Sequence, residues 1–184
     1  HSVCQKMYEE QVAWAKEAGV DFIVMPCNTA HMFSDDVKAE INIPFIDIVD
    51  QTINEITEYF SDKVSIGIMA TAACINAKIY QEGLSHKGKT CLLPDNHFQD
   101  ECMKGIFSIK EGSNLLDPSV SLTSVANHLV DKGAEIIIAG CTEIPLVLEN
   151  KDLEVPLVSS TEVLAIKTIE YANHLTIKRN YNKE

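Results

Sequence analysis

Apolar positions in residues 3–18 recur at helical spacing. Val3, Met7, Trp14 and Ala18 fall on one face, and Tyr8, Val12 and Ala15 widen it, which predicts an amphipathic helix. Residues 20–25 then form an apolar run of the kind buried in parallel sheets. A polar turn at Cys27-Asn28-Thr29 leads into a helix reaching about Glu40, with Asn28 or Thr29 as its expected N-cap. Residues 45–49 read as a second strand, followed by a helix to about Tyr59. The polar stretch Ser61-Asp62-Lys63 marks a crossing between lobes.

The alternation then resumes. Strands are predicted at residues 64–69, 90–93, 136–139 and 157–158. Helices are predicted at residues 73–83, 96–110 and 119–132, with Gly112 stopping the second of these. A last helix over residues 161–175 places Leu164, Ile169, Ala172 and Leu175 on one face, and a frayed tail is expected from Lys178 onward. Strand and helix alternating throughout predicts an α/β fold with parallel sheets.

One unit occurs twice. Gly19-Val-Asp-Phe-Ile-Val-Met-Pro-Cys27 and Gly133-Ala-Glu-Ile-Ile-Ile-Ala-Gly-Cys141 share the same glycine-to-cysteine spacing. Downstream, Ile43-Pro44-Phe-Ile-Asp47 recurs as Val155-Pro156-Leu-Val-Ser159. Each copy places a thiol where a strand gives way to a helix. Unpaired N–H groups there favour an anion and draw a thiol pKa down from about 8.5 toward neutrality. Two such thiols across a cleft suit two-base proton transfer at carbon. Cysteine is also a common small buried hydrophobe, a reading that fits a lone cysteine better than a matched pair. Asn28, Thr29 and Thr142 add side-chain donors suited to a carboxylate. Thr71, after residues 64–69, is a further donor, and Lys110 is one of few cations placed to meet a second carboxylate. Cys74 reads as packing, as do Cys4, Cys91 and Cys102. His31 either lines the cleft or packs.

Composition narrows the partners. The chain has 184 residues, 46% of them apolar, and a net charge of −12. That charge argues against nucleic acid, which needs a basic patch. No apolar run approaches a membrane span. Six cysteines without a Cys-x-x-Cys spacing read as reduced thiols of a cytoplasmic protein. No spacing suggests zinc, a nucleotide loop or a Schiff-base lysine, so no cofactor is expected.

The segments Met25-Pro-Cys27-Asn28-Thr29-Ala30-His31 and Gly140-Cys141-Thr142-Glu143-Ile144-Pro145 resemble the paired signatures of the aspartate/glutamate racemase family. The similarity extends through Ile68-Met-Ala70-Thr71, Pro94, Gln99, Ile109-Lys110-x-Gly112 and Val155-Pro156-Leu157. It implies two pseudo-symmetric α/β lobes with the active site in the cleft between them. Residues 1–62 plus 156–184 would form the first lobe and residues 63–155 the second. It further implies cofactor-independent racemisation of aspartate or glutamate by Cys27 and Cys141 as alternating base and acid. Asn28, Thr29 and Thr142 would hold the α-carboxylate, Thr71 would add a hydrogen bond, and Lys110 would face the side-chain carboxylate. A homodimer is also implied. Glu143 resembles the aspartate or broad-specificity branch, where glutamate racemases carry histidine. Cys74 and Ser159 depart from the family's threonine and aspartate. The first unit lacks counterparts of residues 64–69 and 90–93, so the sequence is expected to be N-terminally incomplete by roughly fifty residues if the units match in size. The alternatives are a hydantoin racemase, a maleate isomerase, an arylmalonate decarboxylase, or an inactive binder of acidic ligands.

Overall fold

In the computed structural model, which describes residues 3–112 and 114–181, two parallel sheets lie in sequence. α1 (Val3–Ala18), β1 (Ile23–Val24), α2 (Ser34–Glu40), β2 (Phe45–Ile46) and α3 (Ile48–Tyr59) come first. β3 (Ser65–Ala70), α4 (Ala72–Asn76), α5 (Gln81–His86), β4 (Thr90–Leu92), α6 (Asn96–Lys110), α7 (Leu116–Asp131) and β5 (Ile136–Gly140) follow. β6 (Leu157–Ser159) and α8 (Ser160–Tyr181) close the described chain. β1 pairs with β2, and the second sheet runs β4-β3-β5-β6, all parallel. Among the described residues no helix is long and apolar enough to cross a membrane.

The period-two alternation of β3 and β5 builds both layers around the four-stranded sheet. Ile66, Ile68, Ile136 and Ile138 face α3, α5 and α8, meeting Ile48, Ile53, Ile56, Leu84 and Leu164. Met69, Ile137 and Ala139 face α6 and α7, meeting Cys102, Ile106, Leu122, Val125 and Leu129. Each fully buried aliphatic side chain contributes about 1.5–3 kcal/mol by leaving water. A smaller core of Val12, Val37 and Ile41 sits with the two-stranded sheet. The crossing at Ser61 to Lys63 is pinned from both sides. Lys89 Nζ donates to the carbonyls of Phe60, Ser61 and Lys63, and the Glu135 carboxylate accepts from Val64 and Ser65 N–H.

Several local expectations are corrected. α1 buries Val12 and Ala15, while Met7 and Trp14 are exposed; the Val3 side chain is outside the described residues. The first strand shrinks to Ile23–Val24. Residues 48 and 49 belong to α3, because Asp47 accepts from Val49 and Asp50 N–H and starts the helix there. The helix expected over residues 73–83 breaks between α4 and α5, where Lys78 takes a left-handed φ of 53°. In α8, Leu164 is buried and Ile169 is exposed, so the expected face is only partly covered. The helix continues to Tyr181, and residues 182–184 of the expected tail are outside the described residues.

Candidate active site

Parallel strands deliver the candidate residues to one end of each sheet. Cys27 follows β1, Asp47 follows β2, Thr71 follows β3, Cys141 follows β5 and Ser160 follows β6. Loops at the carboxyl ends of parallel strands are where open α/β folds bind ligands. The two sheets meet through side chains from these loops. Thr29 Oγ1 lies 2.8 Å from Thr71 Oγ1. Asn28 Nδ2 donates to Ser160 Oγ at 3.0 Å, and Tyr80 Oη donates to Asn28 Oδ1. Ser160 Oγ in turn donates to the Ala139 carbonyl at 2.9 Å, two residues before Cys141.

The turn after β1 differs from expectation. Residues 29–33 form a 3-10 helix ahead of α2, and neither Asn28 nor Thr29 caps it with its side chain. The Asn28 side chain is 2% exposed and is held by Tyr80 and Ser160 instead. One amide hydrogen of Asn28 remains, together with the main-chain N–H groups that open the turn. His31 is packed, at 5% exposure. Its Nδ1 lies 2.8 Å from the Cys27 carbonyl. A carbonyl only accepts, so Nδ1 carries the hydrogen, leaving Nε2 to accept from Ile48 N–H at 3.4 Å. Burial holds the His31 pKa below its ordinary value, although Asp47 and the Cys27 carbonyl oppose it. Asp47 also pairs with Lys38 at 2.8 Å. The turn bearing Cys27 is thus supported from beneath by a His31–Asp47–Lys38 chain.

The two thiols differ. Cys27 is exposed, and Cys141 is buried at 6%. Cys141 Sγ donates to Glu143 Oε2 at 2.9 Å. Thr142 Oγ1 donates to the same oxygen at 3.0 Å, and Lys110 Nζ lies 3.7 Å from Oε1. Burial pushes the Cys141 thiol up to about 12, and the Glu143 hydrogen bond and charge push the same way. The expected lowering by a helix N-terminus is therefore overturned at Cys141. Glu143 itself is raised by burial, but hydrogen bonds from Cys141 and Thr142 and the charge of Lys110 outweigh that and hold its carboxyl below the usual range. Cys141 is a proton donor with a carboxylate at its sulfur.

Gly140 permits this arrangement. A Cβ there would stand 3.2 Å from Ala70 Cβ, Met69 O and Tyr80 Cε2, so β5 has no room for a side chain just before Cys141. Cys74 is buried at 1% among core residues, and Cys102 and Cys91 are buried and half-buried. Their packing role agrees with expectation, while the Cys4 side chain lies outside the described residues. Of the residues brought together here, sequence reasoning missed Tyr80, Ser160 and Lys38. It also gave Glu143 no chemical role. The spacing Cys-Thr-Glu was a visible signal for Glu143, since residues two apart in a turn readily share a hydrogen bond. Tyr80 had no such signal, because its position depends on the break after α4.

The chain is similar to proteins of known family. Residues 4–168 match the family model described as Asp/Glu/Hydantoin racemase. A broad specificity amino-acid racemase, RacX, from Bacillus subtilis (strain 168) is 30% identical over 169 residues, covering 92% of this chain and 72% of that protein. A glutamate racemase from Aquifex pyrophilus is 29% identical over 163 residues, covering 85% of this chain and 61% of that one. The crystal structure of an aspartate racemase homologue from Pyrococcus horikoshii OT3 superposes with a TM-score of 0.78 at 27% identity, covering 92% of this chain and 74% of that one.

Proposed function

The chain belongs to the Asp/Glu/hydantoin racemase family, whose members compared above include amino-acid racemases, and from that premise we propose that it racemises an acidic amino acid by proton transfer between Cys27 and Cys141. The observation that carries the proposal is the joining of the two thiol-bearing ends through Thr29 and Thr71, 2.8 Å apart. It supports a ligand held between both sheets, with a sulfur on either side. Cys27 is the base in one direction, with Cys141 delivering its proton to the opposite face. In the other direction the Cys141 thiolate left by that delivery is the base, and the Cys27 thiol delivers its proton to the opposite face.

An amino-acid α-proton is a very weak acid, so the carboxylate beside it must be stabilised as charge develops. The remaining amide hydrogen of Asn28, the main-chain N–H groups of the first turn and the free O–H of the paired Thr29 and Thr71 fill that role in this proposal, and Thr142 joins them by exchanging its Glu143 contact for the substrate carboxylate. Closure of the lobes, divided as residues 1–62 plus 156–184 and residues 63–155, excludes water and strengthens these contacts. α8 packs on α3 and β2 and also on β5 and β6, and β6 pairs with β5, so the segment 156–184 bridges the two lobes of that division. A homodimeric, cytoplasmic enzyme belongs to the same reading. Lys110 is assigned to the side-chain carboxylate. Its ion pair with Glu143 favours one second reading, a wider substrate range in which that cation serves Glu143 rather than the substrate.

The test is chiral chromatography of L-aspartate, L-glutamate and a set of neutral amino acids incubated with the protein. Acidic substrates are expected to lose optical purity, and the Cys27→Ser and Cys141→Ser variants to do so at least ~100-fold more slowly. Near-parental racemisation by either variant rejects the two-thiol mechanism. Turnover of neutral amino acids alone rejects the acidic substrate.

A further inference from the structure

Three fully or almost fully buried polar side chains run between the two thiol-bearing elements. Asn28 is 2% exposed, and Tyr80 and Ser160 are 0% exposed. Asn28 directly follows Cys27. Its amide donates to Ser160 Oγ at 3.0 Å, and that hydroxyl donates to the carbonyl of Ala139 at 2.9 Å. Ala139 lies in β5, two residues before Cys141, and pairs with Ser159 of β6. The path from one thiol's turn to the other thiol's strand is therefore two hydrogen bonds long. Tyr80 holds the far side of the Asn28 amide, fixing which way it faces.

The backbone makes room for this path at a cost. Lys78 adopts a φ of 53°, in the left-handed region that non-glycine residues rarely occupy. That residue breaks the helical run between α4 and α5 and turns Tyr80 inward. Strain of this kind persists where the surroundings over-determine it, and it concentrates at functional sites.

We propose that Ser160 and Tyr80 are positioning residues that act through Asn28 to set the separation of Cys27 and Cys141. The inference rests on the two-thiol reading and deepens it. Proton removal and redelivery require both sulfurs to reach one carbon from opposite sides, within about 3–3.5 Å of it, and a displacement of ~1 Å costs on the order of 100-fold in rate. Neither Ser160 nor Tyr80 needs to touch the substrate for this. A slack tie lets one thiol remove the proton while the other stands too far away to complete the inversion. The proton then exchanges with solvent and returns to the face it left.

The experiment is racemisation in deuterium oxide by the full chain and by its Ser160→Ala, Ser160→Thr and Tyr80→Phe variants. The ratio of deuterium found in unreacted enantiomer to deuterium found in inverted product is the readout. Ser160→Ala and Tyr80→Phe are expected to raise this ratio about tenfold and to lower kcat by ~10- to 100-fold, with KM changed less than about twofold. Ser160→Thr keeps the hydroxyl and is expected to retain the parental ratio. A second measurement needs no turnover. Dibromobimane bridges two thiols by forming two thioether bonds and releasing two bromide ions, and the bridged Cys27–Cys141 peptide is counted by mass spectrometry. Bridged product is expected to fall relative to singly alkylated product in Ser160→Ala. An unchanged exchange ratio with unchanged bridging overturns the tie, even where both cysteine variants are inactive. If the parent bridges readily while its cysteine variants still racemise, the two-thiol reading fails and the tie is left with no catalytic role.

Discussion

The chemistry of each sulfur is decided by one or two neighbours. Cys141 and Cys27 are equivalent in the repeat, yet one is buried against a carboxylate and the other is exposed. Burial is the largest influence on the Cys141 thiol, and Glu143 adds to it by accepting the thiol's hydrogen bond and placing a negative charge beside the sulfur. Replacing Glu143 by Gln removes the charge, so the Cys141 pKa is expected to fall. Each unit of fall raises the thiolate fraction about tenfold at a pH well below the pKa. Alkylation of Cys141 by iodoacetamide at pH 8.5, followed by peptide mapping in Cys27→Ser protein, is expected to quicken in Glu143→Gln. An unaltered rate would show that burial alone sets this thiol. The identity of both cysteines was legible in the sequence, because a duplicated context is visible without coordinates. Their inequality was not, because burial and hydrogen bonding arise only when β5 packs against its neighbours.

Elements show the same division. Strands β3 and β5 were readable because apolar side chains are needed on both faces of a covered parallel sheet. Strand β2 is shorter than its apolar, β-branched pattern suggests, because Ile48 and Val49 lie in α3. The Asp47 carboxylate decided the boundary by taking the first N–H groups of the helix, which outweighs side-chain propensity. The same cluster ties stability to pH. Burial holds His31 below its ordinary 6.5, so the folded chain binds fewer protons there than the unfolded chain. Its contribution is complete above about pH 6.5 and declines as the pH falls toward the lowered folded value. Asp47 is raised by burial but lowered more by His31, Lys38 and the Asp50 N–H. Its contribution is complete above the ordinary carboxylate range and is lost on further acidification. The melting temperature is therefore expected to drop between pH 7 and pH 5, and to drop less in His31→Asn. A parental Tm that is flat across that interval would contradict the assignment. Replacing Asp47 by Ala is expected to cost about 1–2 kcal/mol through the lost helix cap.

At the scale of the molecule, few polar contacts among the described residues join the two sheets at the ends that carry the candidate residues. They are the Thr29–Thr71 contact and the Tyr80–Asn28–Ser160 chain. A substrate bound between the sheets adds contacts to both and stabilises only the folded state. An acidic substrate at a hundredfold excess over its Kd is expected to contribute about 2.7 kcal/mol, read as a raised Tm. Glutarate, which lacks the amino group, is expected to raise it less. Equal Tm with and without aspartate and glutamate would remove the acidic-substrate reading while leaving family membership intact. The alternation of strand and helix, the doubled thiol motif, the family, and Cys27, Asn28, Thr29, Thr71, Cys141 and Thr142 at the strand ends are all written in local pattern and spacing. Long-range packing set Asn28 against Tyr80 and Ser160, aimed the Cys141 thiol at Glu143, and left one thiol open while the other is covered. Those outcomes depend on which distant side chains share a buried space, and no local pattern encodes that.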